Sequence, residues 1–188
     1  MNLLCQHLPD LRITQIRNLA LWVWGVFKSR HCHLGRVADQ LPLDGTRESR
    51  IQRLKRWLKN QRISPQRIYN SIIKVWLSHC HLDDFTLIID RTDWDKFNIL
   101  MVSLAFFGRS IPLAWRVLNH KGCSSFSEQK SLLERIKPLI PKDTSVSLLG
   151  DGEFRSVELI RYSISQGWDY GLCQSEDTYI QLPCGEWK

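Results

Sequence analysis

The sequence lacks the features that define membrane proteins and disulfide-rich secreted proteins. Its longest apolar run, residues 19–27, has nine residues, whereas a membrane-spanning helix needs about 20. That run follows a charged, helical start, which is not typical of a secretory signal peptide. The six cysteines are far apart and include no CxxC pair. We therefore expect reduced thiols, no membrane partner and a cytoplasmic location.

Negative charge is scarce in the first part of the chain. Residues 1–80 contain 14 Lys and Arg but only 4 Asp and Glu, a net charge of +10. Residues 81–188 contain 12 Lys and Arg and 15 Asp and Glu, a net charge of −3, and the two parts account for the total of +7. This division predicts a basic helical domain over 1–80, with an anionic partner, and a second domain over 81–188.

Apolar residues at helical spacing, separated by turn residues, predict four helices in the first part, over residues 10–28, 34–40, 47–59 and 64–77. Short helices joined by tight turns, with one of them basic, resemble a helix-turn-helix arrangement. The helix over 47–59 is the candidate for contact with DNA.

That helix has one apolar face and a large excess of positive charge. Thr46 is its predicted N-cap, and Ile51, Leu54 and Leu58 form the apolar face. A single acid, Glu48, stands against six cations, where a face selected only for solubility would mix both signs. Lys and Arg on one helix are typical of binding to a phosphate backbone. The predicted DNA-binding residues here are Arg47, Arg50, Arg53, Lys55, Arg56 and Lys59.

The second part predicts an α+β domain that is organised around two strands. Residues 85–89 and 145–150 are short apolar runs, typical of buried strands, and each is followed at once by an aspartate, Asp90 and Asp151. Three further strands are predicted over 97–107, 111–118 and 168–173, with a turn at 108–110. Helices are predicted over 126–137 and 155–166, so the 145–150 strand returns through a crossover that favours parallel pairing.

The two aspartates are the candidate metal ligands. If their strands are neighbours in one sheet, both carboxylates lie at the same edge of it. Two hard oxygen ligands suit Mg²⁺, which takes few protein ligands and keeps water and substrate phosphate for the rest of its coordination. The alternative is that each aspartate only ends its strand and starts a turn.

The element order and several motifs resemble a known family. The motif IIDRTDW around Asp90, the strand pair NILMVSLAFFGRSIPLAW and the motif GDGEFRS around Asp151 are similar to DDE transposases of bacterial insertion sequences. The resemblance covers nearly the whole chain. It implies a ribonuclease-H-like mixed sheet with flanking helices, incomplete at the C-terminus, in which the first and fourth strands lie side by side behind a helical DNA-binding domain.

The resemblance also implies a mechanism. Two Mg²⁺ or Mn²⁺ ions would serve phosphodiester hydrolysis and transesterification, with Asp90 binding both ions and Asp151 one. Arg155, on the helix that follows, is a candidate contact to the substrate phosphate. Glu153 is expected to be a solvated turn residue, with a supporting position behind the metal ligands as the alternative. Asp93 and Asp95 are expected to be turn residues and are at most substitute ligands.

The family also requires a third carboxylate, a glutamate on a helix well after the fifth strand. Glu176 and Glu186 are the acids of that type near the end of this sequence, and neither lies in a helical pattern. We therefore expect an N-terminal part of a transposase, associated with the bacterial nucleoid, with little or no strand cleavage by this chain alone. Its expected partners are double-stranded DNA at the element ends and, as a dimer, itself or a full-length transposase.

Two other functions remain open at this point. The chain could be a binding module whose basic domain holds element ends and so inhibits transposition. It could also be a nuclease with a ribonuclease-H-like core and a different third ligand.

Overall fold

A computed structural model describes residues 2–80, 82–174 and 178 of the chain. The chain divides into two compact units, Met1–Val75 and Trp76–Lys188. The fold class is α+β, as predicted, with helices in the first unit and a five-stranded mixed sheet with flanking helices in the second. In the described part of the chain, no helix is both long and apolar enough to cross a membrane.

The four predicted helices of the first unit lie close to their predicted positions, and a further helix that was not predicted precedes them at Asn2–His7. Leu54 of the basic helix is buried, but Leu58, assigned to the same apolar face, is 57% exposed. The prediction for Leu58 was wrong because the helix ends at this residue, beyond the groups that cover Leu54. The helices are α1 (Asn2–His7), α2 (Ile13–Ser29), α3 (Leu34–Asp39), α4 (Arg47–Leu58) and α5 (Pro65–Leu77), which continues into the second unit.

Two apolar clusters hold the first unit together. One is formed by Val37, Ala38, Leu41 and Leu54, with side chains of α2 packed against it. The other is formed by Leu8, Ile63 and Ile68. Val37, Ala38, Leu54 and Ile68 are helical residues of these clusters, whereas Leu8, Leu41 and Ile63 come from the connections between helices.

Gly25 allows α2 to approach α3 closely. It is buried, and a methyl group there would lie 2.7 Å from Cγ1 of Val37 and 3.1 Å from the Val37 carbonyl oxygen. Contacts this short cannot form without moving the backbone of α3. Gly25 therefore stands in the middle of a long helix because a larger residue would prevent this close packing of α2 on α3.

The second unit is built on a sheet with the strand order β3-β2-β1-β4-β5. Strand β1 is antiparallel to β2 and parallel to β4, β2 is antiparallel to β3, and β4 is parallel to β5. The predicted parallel crossover is confirmed, and the first and fourth strands lie side by side. The bounds are β1 (Asp84–Trp94), β2 (Phe97–Phe106), β3 (Arg109–Leu118), α6 (Phe126–Ile136), β4 (Ser145–Gly150), α7 (Val157–Ser165) and β5 (Asp169–Leu172), with short 3-10 helices at Lys137–Leu139 and Gly152–Phe154.

The end of β1 and the turn between β2 and β3 differ from the prediction. Strand β1 does not end at Asp90 but continues to Trp94, because β2 pairs with it along that whole length. The turn between β2 and β3 is Phe107-Gly108, with φ values of 46° and 70°, so Arg109 already belongs to β3. Two consecutive residues with positive φ match the twist of the flanking strands.

We expect Gly25→Ala to lower the free energy of unfolding by about 1–3 kcal/mol, because the overpacking at Val37 outweighs the gain in helix propensity of about 1 kcal/mol. Denaturant unfolding followed by circular dichroism measures the change. Gly35→Ala is the matched control, since a methyl group there meets the mobile end of the Arg47 side chain, not backbone. Equal destabilisation of the two variants would contradict this account of Gly25.

Candidate functional site

The register of the sheet brings Asp90 and Asp151 to one edge. Ile88 pairs with Leu149 and Ile89 pairs with Gly150, and the aspartates are the next residue of each strand. Asp151 has φ −77° and ψ −173°, so its backbone continues the extended conformation of β4. The predicted pairing of the two strands that lead to the aspartates is therefore confirmed.

Both aspartates also belong to the same face of the sheet. Successive side chains of a strand alternate between its faces. Phe85, Leu87 and Ile89 of β1 are fully buried on one face, so Asp90 belongs to the other. The same alternation in β4, where Leu148 is buried, assigns Asp151 to the face of Asp90.

Each carboxylate is oriented by one hydrogen bond from the backbone. The amide of Arg91 donates to Oδ1 of Asp90 at 2.8 Å, and the amide of Glu153 donates to Oδ1 of Asp151 at 2.9 Å. Both aspartates are exposed. Among the residues described, neither Oδ2 receives a hydrogen bond, so each carboxylate has an oxygen available for a ligand.

Beside the aspartates lies an ion pair that the sequence analysis missed. Nε of Arg91 is 2.5 Å from Oε2 of Glu153, and the two side chains are only 16% and 11% exposed. Nη1 of Arg91 also donates to Asp93 at 2.6 Å. Hydrogen bonds to Asp93 and Glu153 raise the pKa of the Arg91 guanidinium above its usual value. Glu153 is thus a structural ion-pair partner, and its expected role as a solvated turn residue was wrong.

The ion pair is fixed by further polar groups. Both the amide and the hydroxyl of Ser124 donate to Oε1 of Glu153, at 2.9 and 3.0 Å. Asn98, which is 4% exposed, accepts from Arg91 at 3.1 Å and donates to the carbonyls of His120 and Gly122, each at 2.9 Å. The available signal was an asparagine at the second position of an otherwise apolar strand.

The other acids near Asp90 are accounted for. Asp93 pairs with Arg91, and Asp95, with φ 56°, is in the turn between β1 and β2. Within residues 2–80, 82–174 and 178, no three His, Cys, Asp or Glu side chains are grouped as metal ligands. Glu176 and Glu186 lie outside the described residues.

Asp90 and Asp151 fit a hard divalent cation. They offer exposed carboxylate oxygens from neighbouring strands, which is the donor type that Mg²⁺ and Mn²⁺ prefer. Two carboxylates are enough for one Mg²⁺ that keeps several waters. A centre with two ions needs more charge than these two residues supply.

The basic helix α4 uses half of its predicted DNA-binding cations within its own unit. Thr46 caps the helix through its Oγ1, as predicted. Nε of Arg47 is 2.6 Å from Asp39, which lowers the pKa of that carboxyl group. Arg50 donates to the carbonyl of Leu43. Arg53 donates to the side chain of Asn18 at 2.7 Å.

The remaining cations of α4 point away from the unit. Lys55, Arg56 and the C-cap residue Lys59 are exposed; at 100° per residue Arg56 and Lys59 lie on the side opposite the buried Leu54, and Lys55 lies on the flank. Arg56 makes only a long bond, 3.4 Å, to the carbonyl of Gln52 in its own helix. These three residues, called the α4 basic face below, are the cations of this helix best placed to meet an external anion.

Arg155 is also exposed, but it does not lie on a helix. It follows the 3-10 helix Gly152–Phe154, and α7 begins at Val157 with Ser156 as its N-cap. The predicted helix start at 155 was two residues early, because the side chain of Ser156, not an earlier residue, caps the first turn. Arg155 remains a predicted phosphate contact.

Comparisons with known proteins found no matching family model and no matching curated protein. The likeness to DDE transposases therefore stays a prediction that rests on the motifs themselves. The paired aspartates and the basic helix are the observations on which a function can be argued.

We expect Asn98→Ala to lower the free energy of unfolding by about 2 kcal/mol, because Arg91 and two carbonyls lose their buried partner. Thermal and denaturant unfolding measure the loss. Asn119→Ala is the control, since Asn119 is exposed just after β3. A change below that of the control would show that water replaces these hydrogen bonds at no cost.

Proposed function

We propose that this chain is a transposase-type protein of a bacterial insertion sequence. Its helical unit would bind the element ends, and its sheet would hold divalent cations for phosphodiester cleavage and strand transfer. The observation that carries the proposal is the register of β1 and β4, which brings Asp90 and Asp151 to one edge and one face of the sheet. The motifs around these aspartates supply the likeness to DDE transposases.

The two aspartates would act as metal ligands. Asp90 would bind both ions of an intact site and Asp151 one of them, each through the oxygen that the backbone amide does not occupy. When bound, Mg²⁺ or Mn²⁺ would activate the attacking water or 3′-hydroxyl and stabilise the leaving oxygen at phosphorus. Arg155 would contact the substrate phosphate near Asp151.

The described residues supply two carboxylates but not the third that the family requires. We therefore propose that strand cleavage depends on a further acidic ligand, and that the described part of the chain does not cleave DNA unaided. The proposed site of action is the cytoplasm, at the bacterial nucleoid, with double-stranded element ends as partner and a dimer with itself or a full-length transposase.

A second function is favoured by the same two-carboxylate site. A chain that binds element ends without cutting them would compete with an active transposase and act as an inhibitor of transposition. Sequence-specific binding without cleavage supports this function. Metal-dependent cleavage of unrelated DNA would instead support a ribonuclease-H-like nuclease.

We expect Mn²⁺ to bind the protein and expect Asp90→Ala and Asp151→Ala each to weaken that binding by about tenfold or more, because each variant removes one of the two anionic ligands. Water proton relaxation and calorimetry measure binding. Asp95→Asn removes an equal charge from the neighbouring turn, tolerates its positive φ, and should leave Mn²⁺ binding intact. Binding that neither site mutation weakens would overturn the shared metal site. Efficient, Asp90-dependent nicking of plasmid DNA would show that two carboxylates suffice.

We expect replacement of the α4 basic face (Lys55→Ala, Arg56→Ala, Lys59→Ala) to weaken DNA binding and to lower the slope of log affinity against log salt by about three. Fluorescence anisotropy of a labelled duplex at several salt concentrations measures both. The control is Lys121→Ala, Lys142→Ala, Arg161→Ala, which removes two lysines and one arginine that are exposed in the other unit. An equal change in both triple variants would assign the effect to net charge and not to α4.

A further inference from the structure

The backbone pairing of β1 with β4 ends just before the aspartates. Ile89 and Gly150 are the last paired residues. Strand β1 then continues along β2, while the segment that follows β4 forms a 3-10 helix. The next contact between these two segments is the ion pair of Arg91 with Glu153. Asp90 and Asp151 therefore lie between the last pair of the ladder and this side-chain link.

Both members of the ion pair also hold the aspartates through their backbones. Arg91 donates its amide to Asp90, and Glu153 donates its amide to Asp151. A displacement of either residue thus changes the orientation of the carboxylate that it holds. The ion pair sets the separation between β1 and the segment after β4, and the backbone amides of Arg91 and Glu153 set the direction of the two carboxylates.

Both carboxylate oxygens of Glu153 already accept hydrogen bonds. Its Oε2 is bound by Arg91, and its Oε1 accepts from both the amide and the hydroxyl of Ser124. Gln129 in turn donates to the carbonyl and the hydroxyl of Ser124, at 3.2 and 3.1 Å. The buried amide side chain of α6 therefore fixes Ser124, and Ser124 fixes Glu153.

Strand alternation assigns the ion pair to the opposite face from the carboxylates. Arg91 has the same parity along β1 as the buried residues Leu87 and Ile89, while Asp90 has the other. Arg91 is thus anchored on the covered face by Glu153 and Asn98. Such support below a site preserves its geometry without taking part in the reaction.

We propose that the Arg91–Glu153 pair is a positioning device that aligns Asp90 and Asp151 for a shared divalent cation, and that Glu153 is not itself a ligand. The metal part of this inference rests on the proposed function. In the alternative, Glu153 is the third carboxylate ligand, and Arg91 binds it only while no metal ion is present. This alternative makes the opposite prediction for one variant.

That variant is Arg91→Gln. Removal of Arg91 would release Glu153 and remove a positive charge, so a ligand role for Glu153 predicts tighter binding of Mn²⁺. A positioning role predicts weaker binding, by about tenfold or more, as for other groups that orient metal ligands. Glu153→Gln should weaken binding to the same extent. The sign of the change in Arg91→Gln therefore separates the two roles.

The experiment measures Mn²⁺ affinity by water proton relaxation in Arg91→Gln and Glu153→Gln. Arg161→Gln and Glu158→Gln are the controls; they make the same charge changes at exposed positions of α7. If Arg91→Gln does not fold, Arg91→Lys keeps the charge but cannot make both side-chain contacts, and should show a weaker change in the same direction. Tighter binding in the Arg91 variants, or changes no larger than in the controls, would overturn the proposal.

A second measurement needs no metal. Amide hydrogen exchange by NMR should show that the Glu153 amide exchanges about tenfold faster in Arg91→Gln, because its bond to Asp151 is lost. If wild type binds no Mn²⁺ but this amide loses protection, the pair orients the aspartates and the proposed metal function fails. If the protection is unchanged, the positioning role fails, whatever the metal does.

Discussion

The parallel pairing of β1 with β4 is the constraint on which the second unit depends. Parallel neighbours cannot be joined by a short turn, so the chain between them must leave the sheet edge and return. Strands β2 and β3 and helix α6 fill that connection, and α6 packs against the sheet that they extend. The same pairing sets the register that aligns Asp90 with Asp151. Fold and site are therefore consequences of one set of backbone hydrogen bonds.

Two carboxylates placed side by side repel each other, and this cost has to be offset. The backbone amides of Arg91 and Glu153 offset part of it, since each donates to one aspartate. The guanidinium of Arg91 does not serve the aspartates directly, because Glu153 and Asp93 already bind it. The described residues thus orient the two aspartates without giving either of them a basic side chain as partner.

The sequence predicted what depends on local pattern and missed what depends on distant partners. Apolar runs bounded by polar residues were enough to place five strands, the crossover and both aspartates. The extension of β1 from Arg91 to Trp94 was missed, because this segment is polar and is a strand only by pairing with β2. The Arg91–Glu153 pair joins residues 62 apart, so no local signal relates them. The same limit explains the wrong prediction for Glu153. A glutamate in a glycine-containing turn is typical of a solvated residue, and its partners Ser124 and Arg91 are distant in the sequence.

A count of the charges on α4 does not show which of its cations already contact groups of their own unit. Six cations on α4 suggested a uniform surface for DNA, yet Arg47, Arg50 and Arg53 each contact a group of their own unit. An arginine that already donates to an internal acceptor is held in one orientation and has fewer of its five N–H groups left for a phosphate, whereas Lys55, Arg56 and Lys59 need only release counterions. The internal contacts also fix α4 against α2 and the 39–43 segment, so these arginines orient the helix whose other side is free. Under the proposed DNA-binding function, Arg47, Arg50 and Arg53 hold the helix in its unit, and Lys55, Arg56 and Lys59 are the cations left for the external anion.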